Sequence, residues 1–340
     1  MKKIKVGING FGRIGRLFLR ASWDRPEIEV VAVNDLGSIE NLAYLLKYDT
    51  VYKKWEHEIK VEGSSLIIDG RQVKVLIEKD PSQLPWGDLG VDVVVESTGF
   101  FNNYDKAKIH LDAGAKKVVI SAPAKGESEI KGETILLGVN EEKFGTCDIT
   151  SNASCTTNGS SPLIAILGET LGIEKAILTT VHTLTNSQPS VDSINEHDMR
   201  EGRASGHNII PTSTGAAIAL TKALPQLDQL FDGISLRVPV LAGSIADITF
   251  IAKKNTSVEE VNAILKKASQ EKRWAGVFAV TEEPLVSSDI LGSRYGSIAD
   301  LQMTRVVGGN LVKVLGWYDN EMGYTYTLID HVIKTGQTIK

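Results

Sequence analysis

The chain has 340 residues, 42% of them hydrophobic and 23% charged, with 37 basic against 42 acidic side chains and a formal net charge of −5. That length suits two domains, each able to bury a core, and the acidic balance gives no support for nucleic-acid binding through the field of the whole protein. The two cysteines, Cys147 and Cys155, make neither a disulfide framework nor a four-ligand metal site, and the start MKKIKVGINGFG reaches Gly7 before any signal-like apolar run. The chain is therefore expected in the cytoplasm, without metal or membrane.

Ile4 to Asn9 alternates branched apolar residues with others and stops at glycine, as a short strand does. GFGRIGRLFLRASW follows, with Ile14, Leu17, Phe18 and Ala21 at helical spacing. IEVVAVND is a second strand, VDVVVEST and AKKVVISAP are two more, and helical patterns at Asn41 to Leu46 and Tyr104 to Ala113 lie between them. Strands alternating with helices imply an α/β domain with a parallel sheet. Gly10, Gly12 and Gly15 spell G-x-G-x-x-G between the first strand and the first helix, where backbone amides and the positive helix end can face a pyrophosphate. Asp35 ends the second strand 20 residues after Gly15, placed to accept bonds from ribose hydroxyls. A glycine-rich turn with a capping aspartate would explain less, and dinucleotide binding is the better reading.

SNASCTTNG, Ser151 to Gly159, sets Cys155 among hydroxyl and amide side chains instead of the aliphatics that surround a filler cysteine. Leu163, Ile164, Leu167 and Leu171 then mark a helix whose start is open. With Pro162 in its first turn, Cys155 lies in the preceding loop; with the helix starting near Cys155, the thiolate gains the positive end of the macrodipole and its pKa falls. His182 ends the strand AILTTVHTLTN, where imidazole is an available base or a structural hydrogen-bonding group. Gln188 to Gly206 reads as a long functional loop. Thr212, Ser213 and Thr214 precede an Ala-rich helix, a further place for an anion. Arg237 interrupts the apolar strand ISLRVPV as either a buried salt bridge or a phosphate clamp. Ser244 to Ala252 and GNLVKVLGWYDNE supply further strands, and a last helix is capped by Asp319 or Asn320.

INGFGRIGR, AVNDL, VVVESTGFF, SNASCTTN, NIIPTSTGAA, LRVP and WYDNEMGYT stand in this order over the full length. Together they resemble the phosphorylating glyceraldehyde-3-phosphate dehydrogenases. The resemblance implies a Rossmann dinucleotide-binding domain, 1–152 completed by a C-terminal helix at 318–340. It also implies an α+β catalytic domain, 153–317, with a mixed, largely antiparallel sheet. The implied partners are glyceraldehyde 3-phosphate, inorganic phosphate and NAD, in a homotetramer whose long loop packs near a neighbour's cofactor. Cys155 matches the family's nucleophile and His182 its base. Thr185 and Arg237 match the substrate-phosphate site; Ser154, Thr156, Thr214 and Gly215 match the site for the incoming phosphate, with Arg200 or Arg203 nearby. Arg13, Ile14, Asp35, Lys79, Ser97, Ser121 and Asn320 match cofactor contacts, beside the three glycines.

Departures are specific. Gly159 stands where many members carry a second cysteine, Val240 where threonine is usual, LAGSIADITF where asparagine-valine-serine wording is more common, and Lys79 where arginine is common. The loop VDSINEHDMRE lacks the Leu-Pro that accompanies NAD preference in many bacterial members. Asp35 still favours NAD, since a 2′-phosphate would meet its charge; dual use of NADP stays open, because the aspartate rotates away in NADP-using relatives. Erythrose-4-phosphate dehydrogenation, in which hydrolysis replaces phosphate attack, is the alternative, and a Cys/His hydrolase a remote one.

Overall fold

In the first of two units, β1 (Ile4–Asn9), α1 (Arg13–Ser22), β2 (Ile28–Asn34), α2 (Ile39–Lys47), β3 (Ile59–Glu62), β4 (Ser65–Ile68) and β5 (Arg71–Leu76) follow one another. β6 (Val93–Glu96), α3 (Tyr104–Ala107), α4 (Ile109–Asp112), β7 (Lys117–Ile120), β8 (Gly132–Thr134) and β9 (Ile149–Ser151) complete its run of elements. The computed structural model describes residues 3–339. This unit comprises Met1–Ile135, Glu141–Ala153 and Thr325–Lys340; the second comprises Leu136–Asn140 and Ser154–Tyr324.

The first sheet has the order β3-β4-β5-β2-β1-β6-β7-β9-β8. From β5 to β8 every neighbouring pair is parallel, which is why Val6, Ile8, Val93, Val94, Val95, Val118 and Val119 are all wholly excluded from solvent. The strand order reverses at β1 and β6, so their C-terminal ends open a crevice suited to a dinucleotide. This is the Rossmann architecture. The antiparallel edge β3-β4-β5 is absent from the sequence expectation, although its signal is there: Asp69 and Gly70, both at positive φ, make a two-residue turn between β4 and β5. The helix expected over Tyr104 to Ala113 is broken at Lys108 into two single turns.

The second unit carries α5 (Cys155–Thr170), β10 (Ile173–His182), β11 (Ile210–Ser213), α6 (Ala216–Ala223), β12 (Phe231–Arg237), β13 (Ser244–Ala252), α7 (Val258–Ser269), β14 (Phe278–Thr281), β15 (Ser297–Val307) and β16 (Leu311–Tyr318). Its sheet runs β11-β12-β10-β13-β16-β15-β14. Two pairs, β10 with β12 and β14 with β15, are parallel; the other four are antiparallel. The sheet is therefore mixed and largely antiparallel. Strict alternation along β13 buries Ser244, Ala246, Ile248, Phe250 and Ala252 on one face.

The last helix, α8 (Met322–Gln337), belongs to the first unit from Thr325 onward. Asp319 supplies its cap, because Asp319 Oδ1 accepts the amides of Glu321 and Met322 at 2.9 Å each. Asn320 is thereby free for another role. No helix among the described residues is long and apolar enough to cross a membrane.

Candidate active site

Cys155 is the first residue of α5. Of the two starts open on sequence, the structure takes the one with Pro162 inside the helix. Ser154 makes this possible: its Oγ accepts the Thr157 amide at 3.1 Å, so the helix is nucleated one residue before the thiol. From Thr156 to Leu167 every position of α5 is buried, which anchors the thiol on a rigid element.

His182 comes to the thiol from β10, where the strand period puts Leu178, Thr180 and His182 on the buried side. Its Nε2 lies 3.4 Å from Cys155 Sγ, and its Nδ1 lies 2.9 Å from the Thr183 carbonyl. Arg237, the register partner of His182 on β12, brings Nη1 to 2.5 Å from the same Nδ1 and to 3.3 Å from the Thr183 carbonyl. Nδ1 accepts while the donor-only Arg237 guanidinium lies against it; once an anion draws that guanidinium away, Nδ1 can donate to the Thr183 carbonyl and leave Nε2 as the acceptor that a base needs. No carboxylate pairs with Arg237 among the described residues, and its buried Nε has no partner. The described residues therefore give no support to the salt-bridge reading of Arg237.

Burial governs the charge states. It lowers the His182 pKa to about 4, with the Arg237 charge as the second cause. Burial also pushes the Cys155 thiol upward, against the pull of Arg237 and the hydrogen bonds of Thr156. The fall in pKa expected from a helix-start position is therefore outweighed by desolvation. Without an anion, the pair rests as thiol and imidazole.

The other predicted residues of this unit fall into two groups. Thr185 Oγ1 is occupied by Gln188 Oε1 at 3.0 Å and Ser187 at 2.9 Å; its place is set by Leu184, whose amide bonds the Val240 carbonyl. Val240 enters through its backbone, and nothing in the structure explains its side chain. Thr214 Oγ1 accepts the Ala216 amide at 3.2 Å, and Gly215 starts α6 with open space where a Cβ would stand. Arg200 and Arg203, by contrast, pair with Asp198 and Asp192 inside the long loop, at 2.8 and 3.1 Å. The structure brings neither to the thiol. Asn320 Oδ1 accepts the Gly243 amide at 3.0 Å and the Ser244 hydroxyl at 3.3 Å, leaving its NH2 for a carbonyl acceptor.

One residue that sequence reasoning missed ties these pieces together. Tyr318, buried at the end of β16, bridges Thr156 Oγ1 at 2.9 Å and Thr180 Oγ1 at 2.7 Å, so it joins the helix of the thiol to the strand of the base. Its ring lies edge-on to His182 at 6.1 Å. Gly159 is now explained: a Cβ there would sit 2.7 Å from the Tyr318 ring.

The other residues expected to contact a cofactor lie in the first unit. Gly10 has φ +93°, and a Cβ on it would meet the Ser97–Thr98 peptide at 2.7 Å; one on Gly15 would meet the Gly10 carbonyl at 2.2 Å. Gly12 differs, with nothing within 4 Å, and it opens α1 with no side-chain cap. A tight turn, an open approach and an uncapped helix end are what a pyrophosphate needs. Arg13 pairs with Asp49 at 2.7 Å, and half-buried Ile14 lies beside it in the first turn. Asp35 accepts the amides of Phe11 at 2.9 Å and Gly37 at 3.0 Å, which pins the carboxylate at the end of β2. Ser97 Oγ donates to the carbonyls of Asn9 and Gly10 at 3.0 and 2.7 Å, the Ser121 amide bonds the Glu96 carbonyl, and Lys79 is exposed. No cluster of three or more His, Cys, Asp or Glu side chains suited to a metal occurs among the described residues.

Comparison with known proteins agrees with this geometry. Residues 4–104 match the family model described as the NAD-binding domain of glyceraldehyde 3-phosphate dehydrogenase, and residues 154–320 match that of its C-terminal domain. Glyceraldehyde-3-phosphate dehydrogenase of Thermotoga maritima is 50% identical over 96% of this chain and 97% of its own. That of Geobacillus stearothermophilus is 48% identical over 96% of each chain, and that of Eremothecium gossypii 45% over 97% and 98%. With both halves matched and half of its residues shared with a relative of the same length, the chain belongs to the glyceraldehyde-3-phosphate dehydrogenase family.

Proposed function

We propose that this enzyme oxidises D-glyceraldehyde 3-phosphate to 1,3-bisphosphoglycerate with NAD and inorganic phosphate, using Cys155 as nucleophile and His182 as base. The observation that carries the site assignment is the thiol 3.4 Å from His182 Nε2, beside an arginine with an unpartnered buried Nε. Arg237 and Thr185 take the phosphate of the substrate. Its negative charge offsets the Arg237 charge, which adds to burial in holding His182 neutral, so the imidazole becomes more basic when substrate is in place. The sulfur bonds to the aldehyde carbon and its proton passes through His182 Nε2 to the carbonyl oxygen, giving the hemithioacetal hydroxyl; the imidazole, neutral again, then takes the proton back from that hydroxyl as the carbon is oxidised. Bound NAD supplies the acceptor for the hydride. Cys155 is left as a thioester, whose carbonyl is attacked by inorganic phosphate; the C–S bond breaks, the thiolate departs and the acyl phosphate is released.

Ser154, Thr156, Thr214 and Gly215 are proposed to meet the incoming phosphate. The start of α6, where Thr214 Oγ1 lies on the Ala216 amide, and the open space at Gly215 support this. Arg200 or Arg203 joins them only by leaving its aspartate. Gly10, Gly12, Arg13, Ile14, Gly15, Lys79, Ser97 and Ser121 hold the cofactor, with Asn320 for the carboxamide. Asp35, fixed by two backbone amides, selects against a 2′-phosphate. A cytoplasmic homotetramer is proposed as the working state. Val191, Ile194 and Met199 on the long loop and Ile177 and Ile234 on the sheet face are exposed apolar side chains that suit burial between copies.

The test is NADH formation from glyceraldehyde 3-phosphate, with NAD or NADP, with and without phosphate. Phosphate-dependent turnover with NAD is expected; turnover indifferent to phosphate, or greater with erythrose 4-phosphate, would overturn the assignment.

A further inference from the structure

Asn34, Asn9 and Glu96 are the last residues of three adjacent parallel strands and are register partners. All three are buried. Asn9 Nδ2 donates to Glu96 Oε2 at 2.7 Å, Asn34 Nδ2 donates to Asn9 Oδ1 at 2.8 Å, and the Glu78 amide donates to Asn34 Oδ1 at 2.9 Å. From the other side Trp86 Nε1 donates to His110 Nδ1 at 3.2 Å, and His110 Nε2 lies 2.9 Å from Glu96 Oε2. An indole N–H only donates, so His110 carries its hydrogen on Nε2 and gives it to Glu96. The Thr98 amide and hydroxyl complete the set on Glu96 Oε1, at 2.8 and 2.5 Å. Four donors and no acceptor face Glu96, which is the environment of a carboxylate. One end of the ladder is an indole N–H, which only donates; at the other, Asn34 accepts the Glu78 amide and returns Nδ2 to the Glu78 carbonyl at 2.9 Å, so no amide in it can flip without opposing like groups.

The residue after each rung is a cofactor residue: Gly10 follows Asn9, Asp35 follows Asn34, Lys79 follows Glu78 and Ser97 follows Glu96. Glu96 also fixes Thr98, whose amide nitrogen sits where a Cβ of Gly10 would come within 2.7 Å. We propose that Glu96, with Asn9, Asn34 and His110, forms a buried positioning ladder that presets the dinucleotide cradle before the cofactor arrives. The proposal rests on the dinucleotide reading of that cradle and adds the residues that hold it.

The test measures NAD dissociation constants by quenching of tryptophan fluorescence, together with steady-state constants. Glu96→Gln puts an N–H against a row of donors. It is expected to weaken NAD binding about tenfold, the loss appearing in the KM for NAD and not in kcat, with the rate of Cys155 alkylation by iodoacetamide unmoved. Adding Trp86→Phe removes the donor at His110 Nδ1, so the imidazole can change tautomer and accept from Gln. The double variant should bind NAD more tightly than Glu96→Gln alone. Loss of packing predicts the reverse, because Trp86 is fully buried with its ring against Gly7. Should Glu96→Gln fail to fold, Thr98→Val removes one donor at a half-buried position and is expected to weaken NAD about threefold. Wild-type affinity in Glu96→Gln or, where that variant does not fold, in Thr98→Val, or a double variant no better than the single one, would overturn the ladder. Failure of the wild type to bind NAD would instead overturn the dinucleotide reading.

Discussion

The two units build their sites from different materials. The first offers mostly backbone: glycines that let chain and ligand approach, amides at a helix start, and an aspartate held by two further amides. The second offers side chains, with a thiol, an imidazole and a guanidinium brought together from α5, β10 and β12 and braced by a tyrosine from β16. A backbone site is written locally, in glycine spacing. A side-chain site is written in three or four distant places and exists only after folding.

That contrast predicts separable failures. The largest is Cys155→Ser: aldehyde oxidation should fall by at least ~10⁴-fold, since no other thiol lies beside His182, while the NAD dissociation constant stays within about twofold of wild type. A variant that still turns over would remove Cys155 from the mechanism. His182→Gln should cost on the order of 10²–10³-fold in kcat, the usual range for a lost acid–base group, and should flatten the pH dependence of Cys155 alkylation. The converse variant is Gly12→Ala. Its methyl group meets no protein atom within 4 Å, so the fold should tolerate it, yet it fills the space left for a ligand. The KM for NAD should rise about tenfold with alkylation of Cys155 unchanged. Equal damage to both measurements would break the separation of the two sites.

Legibility followed the same division. The G-x-G-x-x-G of the first unit stands directly between a strand and a helix, and Asp35 ends the next strand, so both fold and cradle could be read from local pattern. The antiparallel edge β3-β4-β5 was missed because Lys60, Glu62, Arg71 and Lys74 interrupt its apolar residues, even though Asp69-Gly70 marks its turn. His110 and His331 looked like ordinary polar or helical histidines, yet both are wholly buried; no local pattern reports burial that distant strands impose. In the second unit Cys155 and His182 stood out by residue type. The helix start at Cys155 was undecidable because Pro162 suits a first turn but can also be accommodated inside a helix, and the rise in the thiol pKa depends on burial that no spacing reveals.

Gly159 shows the limit most clearly. Its reason is a ring 159 residues away in sequence, that of Tyr318. Gly159→Ala should therefore cost about 1–3 kcal/mol through overpacking, seen as a lower urea midpoint. It should lower kcat several-fold as the tyrosine leaves Thr156 and Thr180. An alanine accommodated at wild-type stability would mean that Tyr318 is not the brace described.

The smallest effect concerns acid. Each unit buries one histidine whose pKa burial depresses, His331 to about 3 in the first and His182 to about 4 in the second. His331 is satisfied as a neutral ring, its Nδ1 donating to Asn152 Oδ1 at 3.1 Å and its Nε2 accepting from Thr150 at 2.7 Å. In the unfolded chain both titrate near pH ~6.5. Between that value and the folded pKa the unfolded chain binds protons that the folded one refuses, so stability is fully present above pH ~6.5 and is lost as pH falls, by up to about 1.4 kcal/mol per unit for each ring. The loss runs down to about pH 3 for the first unit and stops near pH 4 for the second. Urea midpoints followed from pH 7 to pH 4.5 in His331→Gln and His182→Gln should each show roughly half of the histidine-dependent slope removed. A slope unchanged in His331→Gln would mean that the proton uptake on unfolding the first unit comes from its carboxylates and not from this ring.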